Sequence, residues 1–149
     1  MKDSGLNKKE RTNMFEELIN KSETEINMMS PLTWAYVGDS VYEMYIRTYL
    51  SNSTNFNPHK MHIIAIKYVK AEAQAKILEK LKDELTDEEK DIVRRGRNTE
   101  NHHLPKHASA TDYMYATAFE ALIGYLFLTK KYNRLKEVLK KCIEIVENN

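Results

Sequence analysis

Two acids stand where acids are seldom placed. In WAYVGDSVYEMYIR, residues 34 to 47, Asp39 follows Gly38 near the middle of an almost wholly apolar and aromatic run; in ATAFEALIGYLFL, residues 116 to 128, Glu120 is the only charged residue. A carboxylate taken out of water needs a partner, or it takes up a proton. One reading gives each acid its own buried hydrogen bonds or a facing cation. The other brings the two together: if the two helices cross, Asp39 and Glu120 meet, and a divalent cation removes their repulsion and supplies the missing charge. The neighbours suit a crossing. Positions three and four residues away share a helix face, and there Asp39 has Ala35 while Glu120 has Ala116 and Gly124. Gly38 costs about 1 kcal/mol in a helix interior relative to alanine. Close helix approach would offset that cost, although packing alone also calls for small residues.

The elements that must position these acids are helices. Four glycines and three prolines in 149 residues leave few turns, and the apolar spacing favours an all-α fold throughout. Residues 10 to 20 read as a short amphipathic helix with Met14, Phe15, Leu18 and Ile19 on one side. NKSETEINMMSP reads as a linker, so residues 1–30 are expected to form a mobile extension and residues 31–149 one helical domain. Ser30 or Thr33 is expected to cap a helix entered at Pro31 and running to about Leu50. Apolarity on nearly every side predicts that this helix lies in the middle of the fold. A helical stretch from about His59 to Lys82 follows, with Ile63, Ile66, Tyr68, Val69, Ala73, Ile77, Leu78 and Leu81 packing inward. TDEE places Glu89 three residues after Thr86 as a capping box, and the helix it opens is expected to stop near Gly96. After a polar loop, Asp112 or Thr111 and then Asn133 are expected to cap the last two helices. In the second of these, Leu135, Val138, Leu139, Cys142, Ile143 and Val146 recur at three- and four-residue intervals.

Composition narrows the setting. Twenty-three basic and 22 acidic residues give a net charge of +1, so a polyanion site has to be local. One candidate patch runs from Arg94 to His107, where Arg94, Arg95, Arg97 and Lys106 face only Glu100. His102, His103 and His107 lack a Cys or carboxylate at a recognised zinc spacing. The single Cys142 and the polar, signal-free start predict a cytoplasmic location, and no stretch is long and apolar enough for a membrane span.

YVGDSVYE resembles the first signature of the ribonuclease III catalytic domain, and TAFEALIGYLFL resembles the second. RRGRN at 94 to 98, YMYATAFEALIGYLFL at 113 to 128 and VKAEAQAKIL at 69 to 78 resemble the subfamily called Mini-ribonuclease III. The resemblance covers roughly residues 31 to 146. It implies an all-helical, homodimeric, Mg2+-dependent endoribonuclease for double-stranded RNA with no separate RNA-binding domain, associated with maturation of large-subunit (23S) ribosomal RNA. It places the signature Asp on Asp39 and the last metal-binding Glu on Glu120. Two further family acids are replaced, by Ala35 and Thr117, which leaves a sparse metal site.

The resemblance also implies that the aromatic after the missing Glu, here Tyr36 with Trp34 nearby, packs into the partner protomer. Both also read as ordinary core aromatics. Duplex RNA, read by shape and phosphate, would be met by Arg94, Arg95, Arg97, Asn98 and Lys106, with Lys67, Lys70 and Gln74 on an exposed face of the preceding helices. Cleavage is expected to leave 5′ phosphates. The competing reading is a catalytically silent double-stranded RNA-binding or assembly module that has kept the fold.

Overall fold

In the computed structural model, residues 14–99 and 109–149 are described. Among these described residues seven α-helices follow one another: α1 Glu23–Asn27, α2 Pro31–Ser53, α3 Pro58–Val69, α4 Ala71–Leu81, α5 Asp87–Asn98, α6 Ala110–Leu128 and α7 Tyr132–Glu147, with a 3-10 turn at Lys82–Glu84 between α4 and α5. The described residues contain no strand. The fold is all-α, as the spacing predicts.

The centre is α6. From Ala116 to Leu126 every residue except Glu120 is buried, with α2, α4 and α5 packed around it. The central place expected for α2 is therefore corrected. Apart from Ala35, its buried positions Trp34, Gly38, Tyr42, Ile46 and Leu50 form a stripe four residues apart, while Tyr36, Asp39, Ser40 and Met44 are exposed. The sequence is apolar on the outer face too, which imitates the signature of a helix enclosed on all sides.

α2 and α6 cross with their backbones in contact. A Cβ on Gly38 would lie 1.8 Å from the Glu120 carbonyl oxygen, and one on Gly124 would lie 1.8 Å from the Trp34 carbonyl oxygen. The two glycines are reciprocal, each clearing space for the other helix, and Gly124→Ala has only rigid backbone to displace. This substitution should lower stability by about 2–3 kcal/mol, the upper part of the overpacking range, measurable by denaturant unfolding. α5 ends at Asn98, close to the expected stop near Gly96; Gly96 is buried, and a Cβ there would stand 2.9 Å from the Ala121 Cβ, so it serves the approach of α5 to α6.

Several local expectations hold. Ser30 caps α2 with Pro31 in the first turn, and Thr86 and Glu89 form the capping box of α5 through hydrogen bonds of 3.1 and 2.9 Å. Glu89 also takes a bidentate pair from Arg134 at 2.9 Å on each oxygen, which ties α5 to α7. Others are corrected. Ser109 caps α6, not Asp112 or Thr111, and Lys131 occupies the position before α7 with no side-chain cap, so Asn133 is not its cap. The stretch expected as one helix from His59 breaks at Lys70, whose ψ of 153° is extended. Ile63 and Ile66, expected in the core, are 51% and 45% exposed.

The linker reading is corrected as well. Ser22 and Glu25 close a capping box around α1, and Ile26 is buried against the core. Residues 14–18 form turns where a helix over 10–20 was expected; residues 10–13 lie outside the described residues. Phe15 packs edge-on against Phe127 at 5.2 Å, while Met14 and Leu18 are exposed. The Trp34 indole donates to the Ile26 carbonyl at 2.8 Å. Trp34 is fully buried between Tyr125 and the Arg95 guanidinium, so its ordinary core reading stands and the interface expectation does not.

Candidate active site

The contact of Gly38 with the Glu120 carbonyl puts the next residue of α2, Asp39, beside the Glu120 turn of α6. Burial first, and then the negative charges of Asp39 and Glu43, together raise the Glu120 carboxyl to about 8. Asp39 is also held above the ordinary carboxylate range, first by partial loss of water and then by Glu43. The structure thus brings together the two acids picked out in sequence, with one difference. Asp39 is exposed at the surface, and Glu120 lies half-buried behind it.

Glu43 is the residue sequence reasoning passed over. It lies four positions after Asp39, one helical turn on and on the same face, and its charge reaches both carboxyls. That spacing was the available signal. The Arg47 guanidinium stands 3.6 Å from Glu43 across an exposed i,i+4 pair. Among the described residues no hydrogen-bond donor or cation is paired with Asp39 or Glu120, and no three His, Cys, Asp or Glu side chains converge as a ready-made metal cage. Thr117, in the place of a family acid, is buried and donates its hydroxyl to the Tyr113 carbonyl at 3.0 Å.

The residues expected to meet RNA divide into groups. Arg94, paired with Asp91, and Arg97, over the Tyr115 ring at 5.3 Å, are exposed with Asn98 at the C-terminal end of α5. Lys67 and Lys70 are exposed and line a small cleft with Lys76 and Asn149, with no contact to either carboxylate. Gln74 is corrected: it is 2% exposed, and its Nε2 donates to the Val69 carbonyl at 3.1 Å, bridging the break between α3 and α4. Arg95 is partly exposed and already engaged within the chain. It donates to the Asn27 carbonyl at 2.6 Å and to Asn27 Oδ1 at 3.1 Å, which fastens α1 to α5. Lys106 and the three histidines of the loop lie outside the described residues.

This helical fold, with α2 crossing α6 and Asp39 beside the Glu120 turn, is that of a ribonuclease III domain, whose family description matches residues 32–131. Mini-ribonuclease 3 of a Thermoanaerobacter species is 45% identical across 80% of this chain and 84% of its own length. The Staphylococcus aureus Mini-ribonuclease 3 is 42% identical across 85% and 96%. A crystal structure of a Fusobacterium nucleatum protein superposes with a TM-score of 0.72 at 30% identity, covering 80% of this chain and 96% of that one. The chain belongs to the Mini-ribonuclease 3 family, endoribonucleases of the ribonuclease III type. No helix among the described residues is long and apolar enough to cross a membrane.

Proposed function

We propose that this chain cleaves double-stranded RNA with Mg2+ as cofactor, acting as a homodimer in the maturation of large-subunit ribosomal RNA. The observation that carries the catalytic part is the carboxyl cluster at the α2–α6 crossing, where Asp39 and Glu120 have no paired cation among the described residues and Glu120 is held at about 8 by desolvation and by Asp39 and Glu43. Such a cluster fits a hard divalent ion. Magnesium is commonly held by one or two carboxylates, with water and substrate phosphate completing six oxygens. Asp39 and Glu120 would hold it, and Glu43 would add charge one turn away. When bound, the ion supplies positive charge to the scissile phosphate and raises the acidity of water nearby.

The remaining work falls to the chain. Asp39, exposed, is the carboxylate that substrate approaches first. Glu120, on the helix buried on all other sides, is fixed in place by packing. Arg94, Arg97 and Asn98, together with Lys67 and Lys70, are the exposed groups suited to phosphate, and Lys106 is proposed with them from sequence alone. Hydrolysis would leave the phosphate on the 5′ end.

Support for the dimer comes from the outer face of α2. Tyr36 is 81% exposed and Met44 63%, and both line an apolar cleft of about 500 Å³ with Phe15, Val41, Tyr45 and Phe127. A protruding aromatic beside a cleft on one face suits an isologous two-fold contact. It would set two sites against the two strands of one duplex.

The silent-module reading draws on the lack of a three-residue metal cage among the described residues. Incubation of the purified protein with end-labelled duplex RNA decides between them. Cutting is expected with magnesium and none with excess chelator. Binding without cutting in both conditions would establish the silent module.

A further inference from the structure

α2 carries three charged residues in its 23 positions, Asp39, Glu43 and Arg47, and they fall at four-residue intervals on one face. With a rise of 1.5 Å per residue, Arg47 stands about 12 Å along the helix from Asp39. From Glu43 onward this face forms one wall of a cleft of about 400 Å³ between α2 and α3. Ile46, Leu50, Met61 and Ala65 contribute apolar lining, while Arg47 and His62 contribute polar groups. The cleft therefore begins at the carboxylate cluster and leads away from it.

Arg47 differs from the other described arginines. Arg95 and Arg134 are engaged by several hydrogen bonds between helices, Arg94 sits on Asp91, and Arg97 covers Tyr115. Arg47 is the one on the helix that bears Asp39. Its side chain is 68% exposed and is paired with Glu43, itself 43% exposed. An exposed pair of this kind is easily exchanged.

We propose that the α2–α3 cleft seats the sugar-phosphate strand flanking the bond that is cut, with Arg47, joined by His62, binding a phosphate a few nucleotides away. The inference rests on the duplex-RNA reading above. A planar guanidinium matches phosphate with two N–H groups, and this exchange takes Arg47 from Glu43 to the RNA. Glu43 then stands free beside Asp39 and Glu120, where positive charge is to be held. The apolar lining accommodates the arginine methylenes and the sugar faces. Without Arg47 the charged stripe of α2 is wholly anionic and repels the strand it has to receive.

The test compares Asp39→Asn, which allows binding to be read without cutting, with the double variant Asp39→Asn/Arg47→Ala. Both are titrated with a fluorescent duplex RNA between about 50 and 200 mM salt. The double variant should bind about tenfold more weakly at low salt, and its slope of log K against log salt should fall by about 1. Arg47→Lys should keep the slope. In the otherwise native enzyme, Arg47→Ala should raise KM with kcat little changed, the pattern of lost uniform binding. An unchanged slope in a background that does bind duplex overturns the Arg47 assignment alone. A background with no salt-sensitive duplex binding brings down the duplex-RNA reading together with this inference. Arg47→Ala should melt within about 2 °C of wild type, as expected for an exposed pair, so a loss of binding is not a loss of fold.

Discussion

Asp39→Asn should lower kcat on duplex RNA by about 10²–10³-fold, the scale on which removal of one group that stabilises transition-state charge is felt. Binding of the duplex should change by no more than a few-fold. The expectation follows from position. Asp39 is the exposed member of the cluster and has no hydrogen bond or ion pair among the described residues, so its removal disturbs no structural contact. Its charge is also a cause of the high Glu120 value, so the amide relieves repulsion and the metal-free variant should melt no lower than wild type. Full activity in the variant would remove Asp39 from the chemistry. A lower melting temperature would point to a structural role. Single-turnover cleavage with saturating enzyme, alongside a thermal melt in chelator, reads both outcomes.

Much of this arrangement was open to reading in the chain because it depends on local chemistry. The capping box of Thr86 and Glu89, the Ser30–Pro31 entry to α2 and the apolar intervals of α7 are all set within a few residues. The α2–α6 crossing was legible for a related reason. Small residues beside an acid on two apolar helices have few uses, and Gly38 and Gly124 are in reciprocal contact across it.

What escaped depends on distant partners. No glycine or proline marks the break at Lys70; the Gln74 amide steadies it by bonding the Val69 carbonyl, so a side chain expected to face RNA is internal. Trp34 is buried because Ile26 offers it a carbonyl and Arg95 covers it, and those contacts require α1, which reads as linker by composition. The exposure of Asp39 was hidden by Tyr36 and Met44. These give the outer face of α2 the apolarity of an interior while a single chain leaves it open. Glu43 was missed because it was read as the edge of a motif, when its position one turn beyond Asp39 makes it part of the same charge cluster.

Glu120→Gln should make the metal-free protein more stable at alkaline pH, although Glu120 is a proposed catalytic ligand. In the folded chain its carboxyl is held at about 8, against an ordinary 4.5. Between those values the unfolded chain has released the proton and the folded chain keeps it. The folded state therefore binds more protons, and stability falls as pH rises through this window, levelling off above about pH 8. At about 1.4 kcal/mol per tenfold change the penalty has a ceiling of about 5 kcal/mol, and relaxation around the site reduces it. In chelator, Glu120→Gln should melt at least about 4 °C above wild type at pH 8.5 and about level with it near pH 5. Magnesium should reverse the order. Metal binding requires the ionised carboxyl and releases its proton, so the stabilisation of wild type by magnesium should grow from pH 6 to 8.5 and be largely absent in the variant. A variant less stable than wild type at pH 8.5 in chelator would mean that the Glu120 carboxylate is already compensated within the folded chain. The cluster would then lack the unbalanced charge that a cation is proposed to satisfy.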